Sequence, residues 1–313
     1  MRNPSNSSPF VARVSTLVLM LCAFFLSADF VAAQNSRTKL DVTNYRIEAE
    51  LQPEQRFLRA TGDVQFTPAT ATRSVTFELN GSLKVEGIER NGRRLADFVQ
   101  DAVGVSELGP NVRVDLGEVV PAGQSVTLRF RWSGALISPE GGPLATKRLA
   151  HVGPEVSYLM YAARWFPFND YAADRATADI TVAVPAGYEV AGSSDLPATR
   201  ETRGGQNRFR FQHTRPALVG NIAAARYVTR TVRVGAYEIQ FFTLPGGEAR
   251  VEPYGELIGR ALKFYTEQYG ASAMGTRLVV AQIDDESLDA YAAPGMQFLA
   301  PKFYAANLIV FLK

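Results

Sequence analysis

Cysteine and histidine are nearly absent from this 313-residue sequence. The one cysteine, Cys22, falls in an apolar run near the N-terminus, and the two histidines, His151 and His213, are far apart in the chain. Residues after Cys22 therefore cannot form a disulfide, supply a cysteine nucleophile or bind a metal through sulfur. Because no disulfide can stabilise this part of the chain, its stability must come from burial of an apolar core.

Motifs of several enzyme classes are also missing. H-E-x-x-H places two zinc-binding histidines one helical turn apart, with a glutamate that activates water. It does not occur, because His151 precedes Val152 and His213 precedes Thr214. No G-x-S-x-G nucleophile elbow and no glycine-rich phosphate loop occurs. We therefore expect both histidines to be structural or surface residues, and the serine cluster at residues 192–195 to be a turn.

The charge balance excludes further classes. The 33 basic and 31 acidic residues leave a formal net charge of +2, and the apolar fraction of 46% is that of a globular protein. Nucleic-acid binding and adsorption to anionic membranes both require a basic surface, which this balance does not provide. We therefore predict a folded protein without a nucleic-acid partner.

The N-terminus predicts an export signal. Arg2 and Arg13 are followed by an apolar stretch at residues 14–26, and small residues then offer cleavage after Ala33. An uncleaved anchor is the weaker alternative, because a membrane span needs about 20 apolar residues. We expect residues 1–33 to be removed, no other membrane attachment, and a periplasmic or extracellular mature chain.

Residues 40–243 alternate between apolar and polar side chains, with turn residues between the alternating segments. This period of two is typical of half-buried strands and predicts a mainly β protein, with a twisted antiparallel β-sandwich at residues 34–246. Asn91-Gly92 is a two-residue hairpin signal, since both turn positions favour positive φ. The apolar positions that share a face are Tyr45, Ile47, Ala49, Leu51, Val75, Phe77, Leu79, Val112, Val114, Leu116, Val126, Leu128, Phe130, Trp132, Ile180, Val182, Val184, Phe209 and Phe211.

The pattern changes after residues 244–253, where proline and glycine end the strands. A helix with Gly270 just past its end and a strand at residues 277–284 are predicted next. A helix and a strand need more packing partners than residues 247–313 provide. We therefore expect the incomplete beginning of an α/β domain there. The apolar stripe predicted on the helix comprises Leu257, Ile258, Ala261, Leu262, Tyr265 and Tyr269.

Two further polar motifs have alternative interpretations. The acidic segment at residues 284–289 could bind a cation through oxygen atoms, but it lacks the alternating ligands and central glycine of a calcium loop. We interpret it as a solvated loop. Asn80-Gly81-Ser82 matches a glycosylation acceptor, yet Asn-Gly is also a turn signal, and we expect the turn.

Residues 158–195 resemble a signature segment of the aminopeptidase N family of zinc metallopeptidases. Residues 208–227, with Phe211, Thr214 and Pro216, are similar to a later family segment. The helix at residues 254–270 is similar to the one that opens the family's catalytic domain. The matching positions of the signature segment are Ala163, Arg164, Trp165, Phe166, Pro167, Asn169, Asp170, Ala176, Ile180, Val182, Val184, Pro185, Tyr188, Val190 and Ser193.

The resemblance implies a β-sandwich followed by a thermolysin-like catalytic domain. Between them the family has a G-x-M-E-N strand, whose backbone binds the peptide and whose glutamate holds the free amino group. Gly295 and Met296 resemble its Gly-Met pair, and Gln297 occupies the glutamate position, with Phe298 at the asparagine. The amide of Gln297 keeps a hydrogen-bond acceptor but loses the negative charge that would pair with an ammonium group.

These observations lead to two functional hypotheses. The first is the N-terminal portion of an exported aminopeptidase-like protein, with zinc expected in the full-length family but no zinc ligands in this chain. Such a portion would bind a peptide or protein substrate through Gly295, Met296 and Gln297, and we expect it to be inactive alone. The alternative is a non-catalytic peptide- or protein-binding module built on the same sandwich.

Overall fold

The computed structural model describes residues 39–103, 109–136, 147–170, 172 and 174–304. The predicted export signal and the apolar residues 306–313 lie outside this part of the chain. No helix within it is long and apolar enough to cross a membrane. The elements are β1 (Leu40–Gln52), a 3-10 helix (Pro53–Gln55), β2 (Phe57–Pro68), β3 (Thr72–Glu78), β4 (Leu83–Arg90), β5 (Arg93–Leu95), β6 (Phe98–Asp101), β7 (Asn111–Val120), β8 (Val126–Ala135), β9 (Ala150–His151), β10 (Val156–Leu159), a 3-10 helix (Ala162–Arg164), β11 (Ala176–Pro185), β12 (Glu189–Gly192), β13 (Thr199–Arg203), β14 (Gln206–Ala217), β15 (Ile222–Ala225), β16 (Val228–Val234), β17 (Tyr237–Thr243), a 3-10 helix (Glu248–Arg250), α1 (Val251–Tyr269), β18 (Arg277–Gln282), β19 (Ala290–Ala293), β20 (Met296–Leu299) and a 3-10 helix (Pro301–Tyr304).

The largest sheet, sheet A, has eight strands in the order β13-β14-β11-β1-β2-β8-β4-β5. The sequence predicted an antiparallel sheet, and all but one of these pairs are antiparallel. The exception is β1, which pairs in parallel with β11. Parallel neighbours need a long crossover connection, and the strands from β2 to β10 supply it. The hairpin predicted at Asn91-Gly92 joins β4 to β5, with φ angles of 52° and 74°.

Two smaller sheets complete the sandwich. Sheet B has the order β3-β7-β6, and sheet C has the order β12-β15-β10-β9. Phe77 of sheet B packs against Phe66 and Phe130 of sheet A, with ring centroids 5.7 and 5.5 Å apart. Gly192 of sheet C lies so close to Phe211 of sheet A that a Cβ at that position would be 2.6 Å from its ring. The predicted sandwich is therefore confirmed, and all the predicted apolar positions are buried in its core.

The family-like segment that follows β10 belongs to this core. Trp165 and Phe166 are fully buried. The indole N–H of Trp132 donates to the Trp165 carbonyl (2.7 Å), and the indole N–H of Trp165 donates to the Gly220 carbonyl (2.9 Å). A buried indole without a partner would be costly, so these bonds fix how the segment crosses between the sheets. Its role in this chain is structural.

The α/β segment is built on a five-stranded sheet, sheet D, in the order β16-β17-β18-β20-β19. Strands β17, β18 and β20 are parallel, and β16 and β19 are antiparallel edges. One face of sheet D joins the sandwich core through Phe242, Val279, Met296 and Phe298. The domain boundary predicted at residue 246 stays a prediction, but β16 and β17, which precede it, pair within sheet D.

On the opposite face of sheet D, α1 packs on the side of β16 and β17. Part of the predicted helix stripe is wrong, because Ala261 is exposed and Tyr265 and Tyr269 are 58% and 82% exposed. The helix instead contacts the sheet through Val251, Tyr254, Gly255 and Gly259. Two of these are glycines, so a pattern of apolar side chains does not detect them. A Cβ on Gly259 would lie 2.4 Å from Val234 of β16, so only glycine allows this close approach. The helix ends as predicted at Gly270, whose N–H donates to the Thr266 carbonyl at 2.9 Å.

Gly259→Val should destabilise the docking of α1. The added side chain would overlap Val234, and overpacking of this kind costs about 1–3 kcal/mol. Arg260→Val is the matched control, since it introduces the same residue at the neighbouring, exposed position. Urea unfolding compares the two variants. Equal free energies of unfolding would contradict the proposed glycine contact.

Candidate functional site

The β19–β20 hairpin carries the three site residues predicted from the sequence. Gly295 lies in the turn before β20 with a φ of 71°, a left-handed conformation that favours glycine. The N–H of Val279 in β18 donates to the Gly295 carbonyl at 3.0 Å. The predicted turn and short extended segment are thus present, and the turn is held against the neighbouring strand.

Alternation along β20 separates Met296 from Gln297. Met296 and Phe298 are fully buried on the face that joins the sandwich core. Gln297 points to the face that carries α1, where its register partners are Val280 and Ala292. It is partly exposed, and its amide makes no hydrogen bond within the described residues. Gln297 is therefore accessible to a ligand, whereas Met296 is a core residue.

The strand edge beside this site belongs to β19 and not to β20. The resemblance implied that the backbone of the Gly-Met strand binds the peptide. Here β20 pairs in parallel with β18 on one side and with β19 on the other. In the described part of the chain, β19 has no strand on its outer side. A peptide that adds to the sheet on the side of β20 would therefore pair with Ala290–Ala293.

The acidic loop before β19 is attached to the sandwich. The carboxylate of Asp285, only 9% exposed, accepts a hydrogen bond from the hydroxyl of Tyr158 (2.7 Å). The guanidinium of Arg148 donates to the same hydroxyl (3.1 Å). Burial acts to raise the pKa of Asp285, but hydrogen bonds from Ser287 and Tyr158 outweigh it and lower that pKa. The interpretation of this segment as a solvated loop is therefore wrong at Asp285. Its side chain is buried against Tyr158, which is 127 positions earlier in the chain.

The turns predicted at residues 192–195 and at residues 80–82 connect β12 to β13 and β3 to β4. Burial acts to raise the pKa of Asp195, but hydrogen bonds from Thr214 and Arg215 lower it, and the Thr214 N–H lies 2.8 Å from the carboxylate. The side chain of Asn80 accepts hydrogen bonds from the N–H and hydroxyl of Ser82, both at 2.9 Å. Asn80 is 1% exposed, which leaves no room for a glycan on its amide.

The histidines lie in different sheets, His151 in β9 and His213 in β14, and both are buried. Burial, assisted by the positive charge of Arg148, lowers the pKa of His151 to about 4. Burial also lowers the pKa of His213, whose Nε2 lies 3.0 Å from the Ser193 carbonyl. Within the described residues, no group of three or more His, Cys, Asp and Glu side chains could hold a metal ion. These residues therefore do not fit a zinc site.

The fold is shared with solved zinc metallopeptidases. The chain is similar to a two-domain M1 zinc metallopeptidase mutant bound to L-arginine, with a TM-score of 0.67 and 21% identity over 85% of this chain and 62% of that one. It is also similar to an M1 zinc metallopeptidase from Deinococcus radiodurans, with a TM-score of 0.68 and 20% identity over 89% of this chain and 64% of that one. No protein-family profile and no curated protein matches the chain.

These similarities confirm the predicted resemblance at the level of the fold. M1 metallopeptidases are the aminopeptidase N family, and most of this chain superposes on their structures. The chain spans less than two thirds of the length of the structures it matches. Identities near 20% carry the fold alone, so the roles of Gly295, Met296 and Gln297 stay predictions.

The buried His151 should make stability depend on pH. Its pKa is lowered from 6.5 to about 4 in the folded chain, so between these values the unfolded chain binds a proton that the folded chain does not. Stability should therefore fall as the pH falls through this window. Urea unfolding from pH 7 to pH 4 should show a smaller loss for His151→Gln than for the wild type. His213→Gln in addition should reduce the loss further, and equal losses in all three proteins would contradict the assignment.

Proposed function

We propose that this chain is the N-terminal portion of an exported aminopeptidase-like zinc metallopeptidase, and that its part in the function is to bind peptide. The proposal rests on one juxtaposition in a fold shared with M1 metallopeptidases. The edge of β19, which pairs with no outer strand among the described residues, lies beside the accessible amide of Gln297. One of those structures is a mutant described as bound to a Tyr-Ser-Ala substrate. Export is proposed from the N-terminal sequence alone.

Strand addition explains how the peptide would be held. Backbone groups of an extended peptide would pair with Ala290–Ala293, and main-chain hydrogen bonds give such complexes their affinity. Gln297 lies opposite Ala292 across the β19–β20 pair, so its carbonyl oxygen would accept a hydrogen bond from the end of a peptide that passes along β19. A neutral acceptor binds a charged amino group less strongly than a carboxylate would.

The chain should bind no stoichiometric zinc and release no product from aminoacyl-p-nitroanilides, because its described residues hold no zinc ligand set. Elemental analysis of the purified protein measures the metal, and a chromogenic assay measures hydrolysis. A comparison of the apo protein with protein incubated in zinc and then desalted controls for loss during purification. One zinc per chain in either sample would contradict the proposal that the site is incomplete.

A non-catalytic binding module is the second candidate, and the amide at position 297 favours it. A module that binds peptides without an aminopeptidase's preference for a free amino group has no need of a carboxylate there. The two candidates predict different relative affinities of the wild-type chain for a peptide with a free amino group and for the same peptide with an acetylated one. A module should bind Tyr-Ser-Ala and its N-acetylated form equally, whereas a portion of an aminopeptidase should still prefer the free amino group.

Gln297→Glu should create or strengthen a preference for a free amino group. Hydrogen bonds to charged groups contribute about 1.5–3 kcal/mol, so Tyr-Ser-Ala should bind roughly tenfold or more tightly to the variant, and the acetylated peptide should not. Gln268→Glu on the exposed side of α1 adds the same charge elsewhere and should change neither affinity. Titration calorimetry measures both. Equal gains for both peptides, or for both variants, would contradict the placement of Gln297 at the peptide terminus.

A further inference from the structure

A cleft lies on the face of sheet D that joins the sandwich core, where that sheet meets sheets A and C. Its volume is about 770 Å³, within the range of sites that bind small molecules. The floor is apolar and includes the buried rings of Phe209, Phe211 and Phe242. Phe242 belongs to the face of sheet D that joins the sandwich core, whereas Gln297 is on the face that carries α1. The cleft is thus separate from the peptide site proposed above.

The charged groups that line the cleft include two neighbours of opposite sign. Glu238 of β17 and Arg277 of β18 are register partners on parallel strands, and both line the cleft. Parallel strands lie about 4.8 Å apart, so these two charged side chains leave neighbouring strands on the same face of sheet D. They form no ion pair with each other.

Neither of these charges is strongly engaged elsewhere. Arg277 donates to the Leu196 carbonyl at 3.3 Å, and no carboxylate of the described residues lies within ion-pair distance of it. Glu238 pairs with Arg233 at 2.9 Å, but the two side chains are 37% and 73% exposed. Exposed pairs of this kind contribute little. Both groups can therefore turn to a ligand at small cost.

The remaining charged pair of the cleft, Arg200 and Glu189, is also partly exposed, but the Arg200 guanidinium has an aromatic ring as a second partner. The guanidinium of Arg200 donates to the carboxylate of Glu189 at 2.7 Å and lies 5.4 Å from the centre of the Phe209 ring. This pair forms one side of the opening and leaves no net charge there. The charge offered to a ligand is therefore the adjacent Glu238 and Arg277.

We propose that this cleft binds a free α-amino acid with a large apolar side chain. Its carboxylate would pair with Arg277, its ammonium group would lie beside Glu238, and its side chain would rest on the aromatic floor. The ammonium and carboxylate groups of an α-amino acid are attached to the same carbon, which suits charged side chains on neighbouring strands. A simple carboxylate would be repelled by Glu238, and a longer peptide would separate its charges too widely. This inference does not depend on the proposed function.

Titration calorimetry of the purified chain with L-phenylalanine, 3-phenylpropionate and phenethylamine tests the proposal. Phenylalanine should bind at least about tenfold more tightly than either analogue, since each lacks one charge-assisted hydrogen bond. Arg277→Gln should weaken phenylalanine binding at least tenfold. Arg230→Gln is the matched control, because Arg230 of β16 is the register partner of Phe241 of β17, which lies on the face that carries α1. It should leave binding unchanged.

Glu238→Gln removes the negative charge alone, so it measures the contribution of Glu238 separately from that of Arg277. It also tests the proposal if Arg277→Gln does not fold. It should weaken the binding of phenylalanine and leave that of 3-phenylpropionate the same or stronger. The proposal is overturned if the folded wild type binds no phenylalanine, if 3-phenylpropionate binds equally well, or if neither variant at positions 238 and 277 weakens phenylalanine binding.

Discussion

The burial of one face of sheet D in the sandwich core is the constraint on which both proposed sites depend. Successive side chains of a strand point to opposite faces. Once Met296 and Phe298 are committed to the core, Gln297 must point to the other face. The same commitment of Phe242 and Val279 turns Glu238 and Arg277 toward the sandwich, where they line the cleft. A shift of one residue in register would exchange these faces and bury Gln297.

Two contacts fix the position of the α/β segment within this arrangement. The glycines of α1 bring the helix onto β16, and the bond from Tyr158 to Asp285 attaches the loop before β19 to sheet C. The first sets the distance between helix and sheet. The second holds the loop that leads into β19. The β19–β20 pairing then places Gln297 opposite Ala292.

Local patterns predicted much of the fold, and long-range contacts explain what they missed. Alternation located the buried face of strands such as Tyr45 to Leu51, and Asn91-Gly92 located a hairpin, because both signals act between near neighbours. The stripe on α1 was misplaced because Gly255 and Gly259 pack by having no side chain. The attachment of Asp285 joins residues far apart in the chain, so no local pattern indicates it. The position of β19 outside β20 depends on pairing order, which alternation does not specify.

The central claim is that β19 is a peptide-binding edge. Hydrogen exchange of the chain with and without Tyr-Ser-Ala, followed by mass spectrometry, tests it most directly. The account predicts that the peptide slows exchange in a fragment containing Ala290–Ala293 and leaves the edge strands β13 and β16 unchanged. Slower exchange at β13 or β16, with none at β19, would contradict it.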